Sequence, residues 1–117
     1  MVRIVHLLLN VENVDSVRSF CEKVFGFTAL AQPKKNGVGM TDGAMHVAVD
    51  KCRPESSPGI SHLGVEVENV DEFVAEIRKY GCEIFTERTE NKKFRIPGGS
   101  GIVVEIVPKG KPWVSVR

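Results

Sequence analysis

The segment from His6 to Asp15, HLLLNVENVD, returns from His62 to Asp71 as HLGVEVENVD, with seven of ten positions identical. The offset of 56 residues is about half of the 117-residue chain, so the sequence carries two copies of one supersecondary unit. Two copies are too few for a solenoid, whose stacking faces would be left uncapped. The length fits about one domain. The expected organisation is therefore a single domain over 1–117, with module one over about 1–51, a linker over 52–59, module two over about 60–108 and a tail over 109–117. The linker is marked by Pro54, Ser56, Ser57, Pro58 and Gly59, and the tail by Pro108 just before it and by Lys109, Lys111 and Pro112 beside Trp113, which is expected to pack over an end of the fold or a subunit contact.

Each copy opens with the alternation of a half-buried strand. Val5, Leu7, Leu9 and Val11 share one face in the first, and Leu63, Val65 and Val67 in the second, which turns His6 and His62 the other way. Asn13 and Asn69 stand at helix N-cap positions, and Glu72 three residues after Asn69 suggests a capping box. The first helix then places Val14, Val17, Phe20, Cys21 and Val24 on its apolar face, with Gly26 as the stop. The second places Val70, Phe73, Val74, Ile77 and Tyr80 there, with Gly81 as the stop. Short strands follow each helix, at about 28–32, 38–41 and 44–50, then 83–88, 93–96 and 102–107, with hairpin signals at Asn36-Gly37, Asp42-Gly43 and Asn91-Lys92. Each half reads βαβββ, an α+β pattern of eight strands.

Composition narrows the function. Apolar residues make up 42% and charged residues 26%, near soluble averages, so a real core can be buried. Sixteen Lys plus Arg against fifteen Asp plus Glu leave a formal charge of +1, which provides no field for nucleic acid or an anionic membrane; a small molecule is the expected partner. Cys21, Cys52 and Cys82 form an odd set without metal-site spacing, as in reduced intracellular thiols. The segment from Met1 to Val11 is too short and too polar for a signal peptide or membrane span, and the protein reads as cytoplasmic.

Chemistry concentrates on the strand faces turned away from the helices. His6, His46, His62 and Glu105 all fall there, and these are all three histidines of the chain. Neutral imidazoles with one carboxylate suit a divalent metal, Zn, Fe, Ni, Co or Mn, with positions left open for substrate. Glu105 lies in the buried-looking run Ile-Val-Val-Glu-Ile-Val, where an unpaired carboxylate costs several kcal/mol, so an ion or an Arg must neutralise it. His46 is set as the repeat counterpart of Glu105 by a one-residue shift of the alignment that keeps the bulky apolar residues on one face. Lys34, Lys35, Arg88, Lys92, Lys93 and Arg95 surround the expected site, mostly as solvated hairpin residues. Arg95 is the candidate for gripping a substrate carboxylate or phosphate.

The paired βαβββ pattern, the histidine opening each unit, the helix segment Ser19-Phe20-Cys21-Glu22-Lys23-Val24-Phe25-Gly26-Phe27 and the closing strand with Glu105 resemble the vicinal oxygen chelate superfamily over about residues 3–108. That group includes glyoxalase I, methylmalonyl-CoA epimerase, extradiol dioxygenases and bleomycin-resistance proteins. The resemblance implies a half-open eight-stranded barrel cupping a divalent metal, often in a homodimer. It matches His6, His62 and Glu105 to the family's ligand positions and puts His46 where glyoxalase I has a glutamate and the epimerase a glutamine. The family's usual aspartate-proline-aspartate-glycine turn is replaced by Ile96-Pro97-Gly98-Gly99-Ser100-Gly101. The implied function is that of a metal-dependent lyase, isomerase or dioxygenase whose ion binds vicinal oxygens of a small oxygen-rich or anionic metabolite, with Glu105 also shuttling protons. The alternative is a bleomycin-resistance-like protein that sequesters a small molecule without catalysis.

Overall fold

The computed structural model describes residues 2–31, 36–86 and 91–110. These gather into two compact units, one of residues 6–61 and one of residues 2–5 with 62–110. The units divide between Val5 and His6, inside the first strand.

The first repeat gives β1 (Arg3–Val11), α1 (Val14–Phe20), β2 (Thr28–Ala29), β3 (Gly37–Thr41) and β4 (His46–Lys51). Within the unit of residues 6–61 the hydrogen-bonded order is β2-β3-β4-β1, with β1 parallel to β4 and the other neighbours antiparallel. Asn13 caps α1, its side chain accepting a hydrogen bond from the Ser16 amide at 2.9 Å. The helix seats its apolar stripe on the sheet: Leu9, Val11, Val14, Val17 and Phe27 pack around buried Cys21, Val38, Met40 and Val49. Burial raises the pKa of the Cys21 thiol, and Cys21, Cys52 and Cys82 are all unbridged.

Two local departures have identifiable causes. The helix continues past Phe20 as a π-turn over Cys21–Phe25, closed by Gly26 at φ 74°, a left-handed conformation that glycine adopts freely. The wider i→i+5 turn changes the facing of the residues that follow. Cys21 is buried, whereas Phe20 and Val24, expected on the apolar face, are exposed. Strand β4 begins at His46 rather than Ala44 because the Asp42 carboxylate accepts from the amides of Ala44 (2.8 Å) and Met45 (2.7 Å). Those two amides are spent on the turn, and they hold the Asp42 carboxyl below its ordinary pKa.

The second repeat gives β5 (Gly59–Val67), α2 (Val70–Lys79), β6 (Lys93–Arg95) and β7 (Val103–Pro108). The order here is β5-β7-β6, with β5 parallel to β7 and β6 antiparallel to it. Val65, Val67, Val74, Phe94, Val104 and Ile106 form the buried cluster, joined by Leu63, Val70, Phe73 and Ile77. Asn69 accepts from the Glu72 amide at 3.0 Å. Asn69→Ala is expected to lower stability by about 1 kcal/mol through loss of this cap, read as a shift in urea midpoint at constant slope. Tyr80, expected on the apolar face, is exposed, because α2 ends at Lys79 and Tyr80 has left helical geometry at φ −82°, ψ 2°.

Seven strands lie among the described residues instead of eight. In the expected strand over 83–88 only Phe85 pairs, as a single bridge to Lys93, and residues 87–90 lie outside the described residues. Lys34, Lys35, Arg88 and the tail around Trp113 also lie outside them. Gly98, Gly99 and Gly101 have φ of 94°, 74° and 68°, which explains why glycine fills the turn into β7. Among the described residues no helix is long and apolar enough to cross a membrane.

Candidate functional site

Alternation along the strands sorts the candidate residues before any contact is considered. Val104 and Ile106 belong to the cluster under α2, so Glu105 between them faces the other way. The parallel register sets Gly64 beside Glu105 and His62 beside Val103, which places His62 and Glu105 on the same face. Gly64 has no side chain, leaving a gap next to the carboxylate. Across that gap His62 Nε2 lies 3.4 Å from Glu105 Oε1, with the side chains 16% and 6% exposed. The other oxygen, Oε2, accepts from Asn91 Nδ2 at 2.9 Å. A buried carboxylate is therefore held at both oxygens, as burial of such a charge requires.

The other unit brings His6 and His46 together. They are register partners on the parallel strands β1 and β4. Their Nδ1 atoms are 2.8 Å apart, and the rings stack with centroids 4.8 Å apart at an interplanar angle of 14°. Such a bond needs one ring to donate from Nδ1 and the other to accept there. Of two neutral rings so joined, only one carries its lone pair on Nε2. The bond thus ties the tautomer of His6 to that of His46. Gly39 makes room for this arrangement, since a Cβ there would stand 3.0 Å from His46 Nε2.

The repeat alignment needs one correction. Leu8 pairs with Ala48 and Gly64 with Glu105, so the repeat counterpart of Glu105 is Ala48, and His46 corresponds to Val103. The expected match of His46 with Glu105 is off by two residues. A slip of two preserves the faces, which is why His46 still shares its face with His6.

The basic residues also sort differently. Arg95 is exposed, with its guanidinium carbon 4.7 Å from the centroid of the Phe85 ring, a cation–π contact. Lys93, expected as a solvated hairpin lysine, is 5% exposed. Its burial and the role of Asn91 escaped the sequence reading. The signal for Lys93 was present: Phe94 points to α2, so alternation sends Lys93 to the face of Glu105.

The model of the Glyoxalase/Bleomycin resistance protein/Dioxygenase superfamily matches residues 3–106. No curated protein matches the chain. Among solved structures, methylmalonyl-CoA epimerase from Mycobacterium tuberculosis is similar at a TM-score of 0.70 and 17% identity, over 90% of this chain and 86% of that one. Streptomyces coelicolor methylmalonyl-CoA epimerase in complex with 2-nitronate-propionyl-CoA is similar at a TM-score of 0.65 and 17% identity, over 98% of each chain. The 2,3-dioxygenase LapB from Pseudomonas sp. KL28 reaches a TM-score of 0.73 at 17% identity, over 91% of this chain but only 40% of that one. At such identities the structures speak for the fold alone, the α+β arrangement of βαβββ modules. With a family match running from the first strand into the last, the chain belongs to the Glyoxalase/Bleomycin resistance protein/Dioxygenase superfamily, the vicinal oxygen chelate proteins.

Proposed function

We propose that the chain is a metal-dependent enzyme of the lyase, isomerase or dioxygenase kind, acting on a small oxygen-rich or anionic molecule. The observation that carries this reading is the buried contact between His62 and Glu105, in a chain of a superfamily built around a chelated ion. His62 and Glu105 supply two of the proposed donors from one unit, and the family resemblance adds His6 as the third. Two imidazoles and a carboxylate leave its remaining positions to substrate and suit Zn, Ni, Co, Fe or Mn. His46 joins as a fourth donor where its Nδ1 bond to His6 gives way to the ion, and otherwise orients His6. A divalent ion so held supplies Lewis acidity toward two neighbouring substrate oxygens.

The chain's own groups do the rest. Glu105 is the catalytic carboxylate. With Oε2 anchored by Asn91, it can take and return a proton at Oε1 when its bond to the ion loosens. Arg95, exposed two residues along β6 from Lys93, is the outer contact for an anionic substrate. A homodimer and a cytoplasmic location belong to the same reading.

Elemental analysis after reconstitution with each of the five metals tests it. The expected result is about one tightly held ion per chain in the wild type and a large loss in His62→Ala. No stoichiometric ion under any supplementation overturns the reading. Turnover of hemithioacetals, acyl-CoA thioesters and catechols by the loaded protein then sorts the reaction class, and substrate retention without turnover supports a sequestering protein.

A further inference from the structure

Asn91 escaped the sequence reading, and the ladder shows how it comes to stand beside Glu105. Lys93 is the register partner of Glu105 on the antiparallel strands β6 and β7, and the Ile106 amide donates to the Lys92 carbonyl at 2.8 Å. Asn91, two residues before Lys93, is therefore a diagonal neighbour of Glu105, within reach of its long side chain. It approaches from the β6 side, on the diagonal toward Val107. His62 approaches from β5 on the other side, where it is the register partner of Val103. The two groups thus flank the carboxylate from opposite strands and on opposite diagonals. His62 Nε2 lies 3.4 Å from Oε1, and Asn91 Nδ2 donates to Oε2 at 2.9 Å. All three residues belong to the unit of residues 2–5 with 62–110.

This division of the two oxygens has a chemical consequence. A carboxylate binds an ion through one oxygen or through both. Binding through both requires the two oxygens to turn together toward the ion, and a hydrogen bond that holds one of them on the far side opposes that turn. The Asn91 amide is uncharged, so it orients the carboxylate without taking its charge. We propose that Asn91 is a positioning residue that makes Glu105 a one-oxygen ligand, offering Oε1 on the His62 side and keeping one coordination position free for a substrate that binds through two oxygens. This inference rests on the metal-enzyme reading. A purely structural role for Asn91, satisfying a buried carboxylate oxygen, would change stability and leave untouched the way Glu105 meets the ion.

The test follows the carboxylate directly. Infrared difference spectra between the Zn²⁺-loaded and metal-free full chain report the separation of the antisymmetric and symmetric carboxylate stretches, wide for one bound oxygen and narrow for two. Glu105→Gln assigns the bands, which should be missing from its spectrum. The wild type is expected to show the wide separation. Asn91→Leu keeps the volume, removes the donor and should show the narrow one. Asn91→Gln returns a donor amide and should move back toward the wild type. On Co²⁺-loaded protein, acetohydroxamate, a chelator that binds through two neighbouring oxygens, should lose about 10- to 100-fold in affinity in Asn91→Leu, the scale of an outer partner of a metal ligand. A narrow separation in the wild type overturns the role of Asn91 while leaving the metal site standing. An unchanged separation or an unchanged acetohydroxamate affinity in Asn91→Leu does the same, whatever happens to its melting temperature. Failure of the wild type to hold Zn²⁺ or Co²⁺ overturns the metal reading and this inference with it. Should Asn91→Leu not fold, the wild-type spectrum decides, a wide separation for the assignment and a narrow one against it.

Discussion

Glu105→Gln is expected to abolish tight metal binding while leaving the fold intact. Changes to residues one step removed from a metal typically lower affinity about 10- to 100-fold, so loss of the only carboxylate in the proposed ligand set should exceed about 100-fold. Glutamine keeps the volume of a residue that is only 5% exposed, and its carbonyl can still accept from Asn91 Nδ2. The melting temperature measured in a chelator should therefore move by no more than about 5 °C, the scale of about 1 kcal/mol for a domain of this size. Calorimetric titration with Zn²⁺ or Co²⁺ reads the affinity, and turnover should fall with it. Wild-type affinity in this variant removes Glu105 from the ligand set. Loss of affinity together with collapse of the metal-free fold gives the carboxylate a structural role instead.

The neighbouring position carries the largest expected stability effect. Ile106 is 1% exposed and packs among Val65, Val67, Val74, Phe94 and Val104. Ile106→Ala is expected to lower stability by about 2–5 kcal/mol, combining lost transfer free energy with the cavity left behind. That is a large part of the roughly 5–15 kcal/mol that holds an ordinary domain. Ile102→Ala, one residue before β7 and 43% exposed, should stay within about 0.5 kcal/mol. Urea unfolding of the two variants beside the wild type reads both. Equal effects would mean that burial does not distinguish Ile106 within β7 from Ile102 just before it.

The contrast between Glu105 and Ile106 shows how much was legible. One residue apart on β7, they face opposite ways, and the strand alternation states this before any coordinates. The same rule placed His6 and His62 on the faces turned from the helices, and the caps at Asn13 and Asn69 fell at the expected residues. The helix ends were less legible. Phe20 is exposed before the π-turn at Cys21–Phe25 and Val24 within it, and nothing in a helical periodicity announces one extra residue in a turn. The start of β4 depended on the Asp42 carboxylate taking two amides, a side-chain choice that competes locally with the ladder.

By itself, then, the sequence determined the duplicated βαβββ plan, the face on which each histidine and Glu105 stands, and the caps that start the helices. These follow from local rules, the period of two along a strand, the period of 3.6 along a helix and the need to satisfy free helix amides. The tertiary structure alone decided the register that matches Ala48, not His46, with Glu105, the Nδ1 bond of His6 to His46, the Asn91 anchor on Glu105, and the burial of Lys93 opposite that carboxylate. The reason is that sliding a strand by two residues leaves every side chain on its own face. Hydrophobic pattern is blind to such a slip, and only hydrogen bonds between distant strands choose which residue stands beside which.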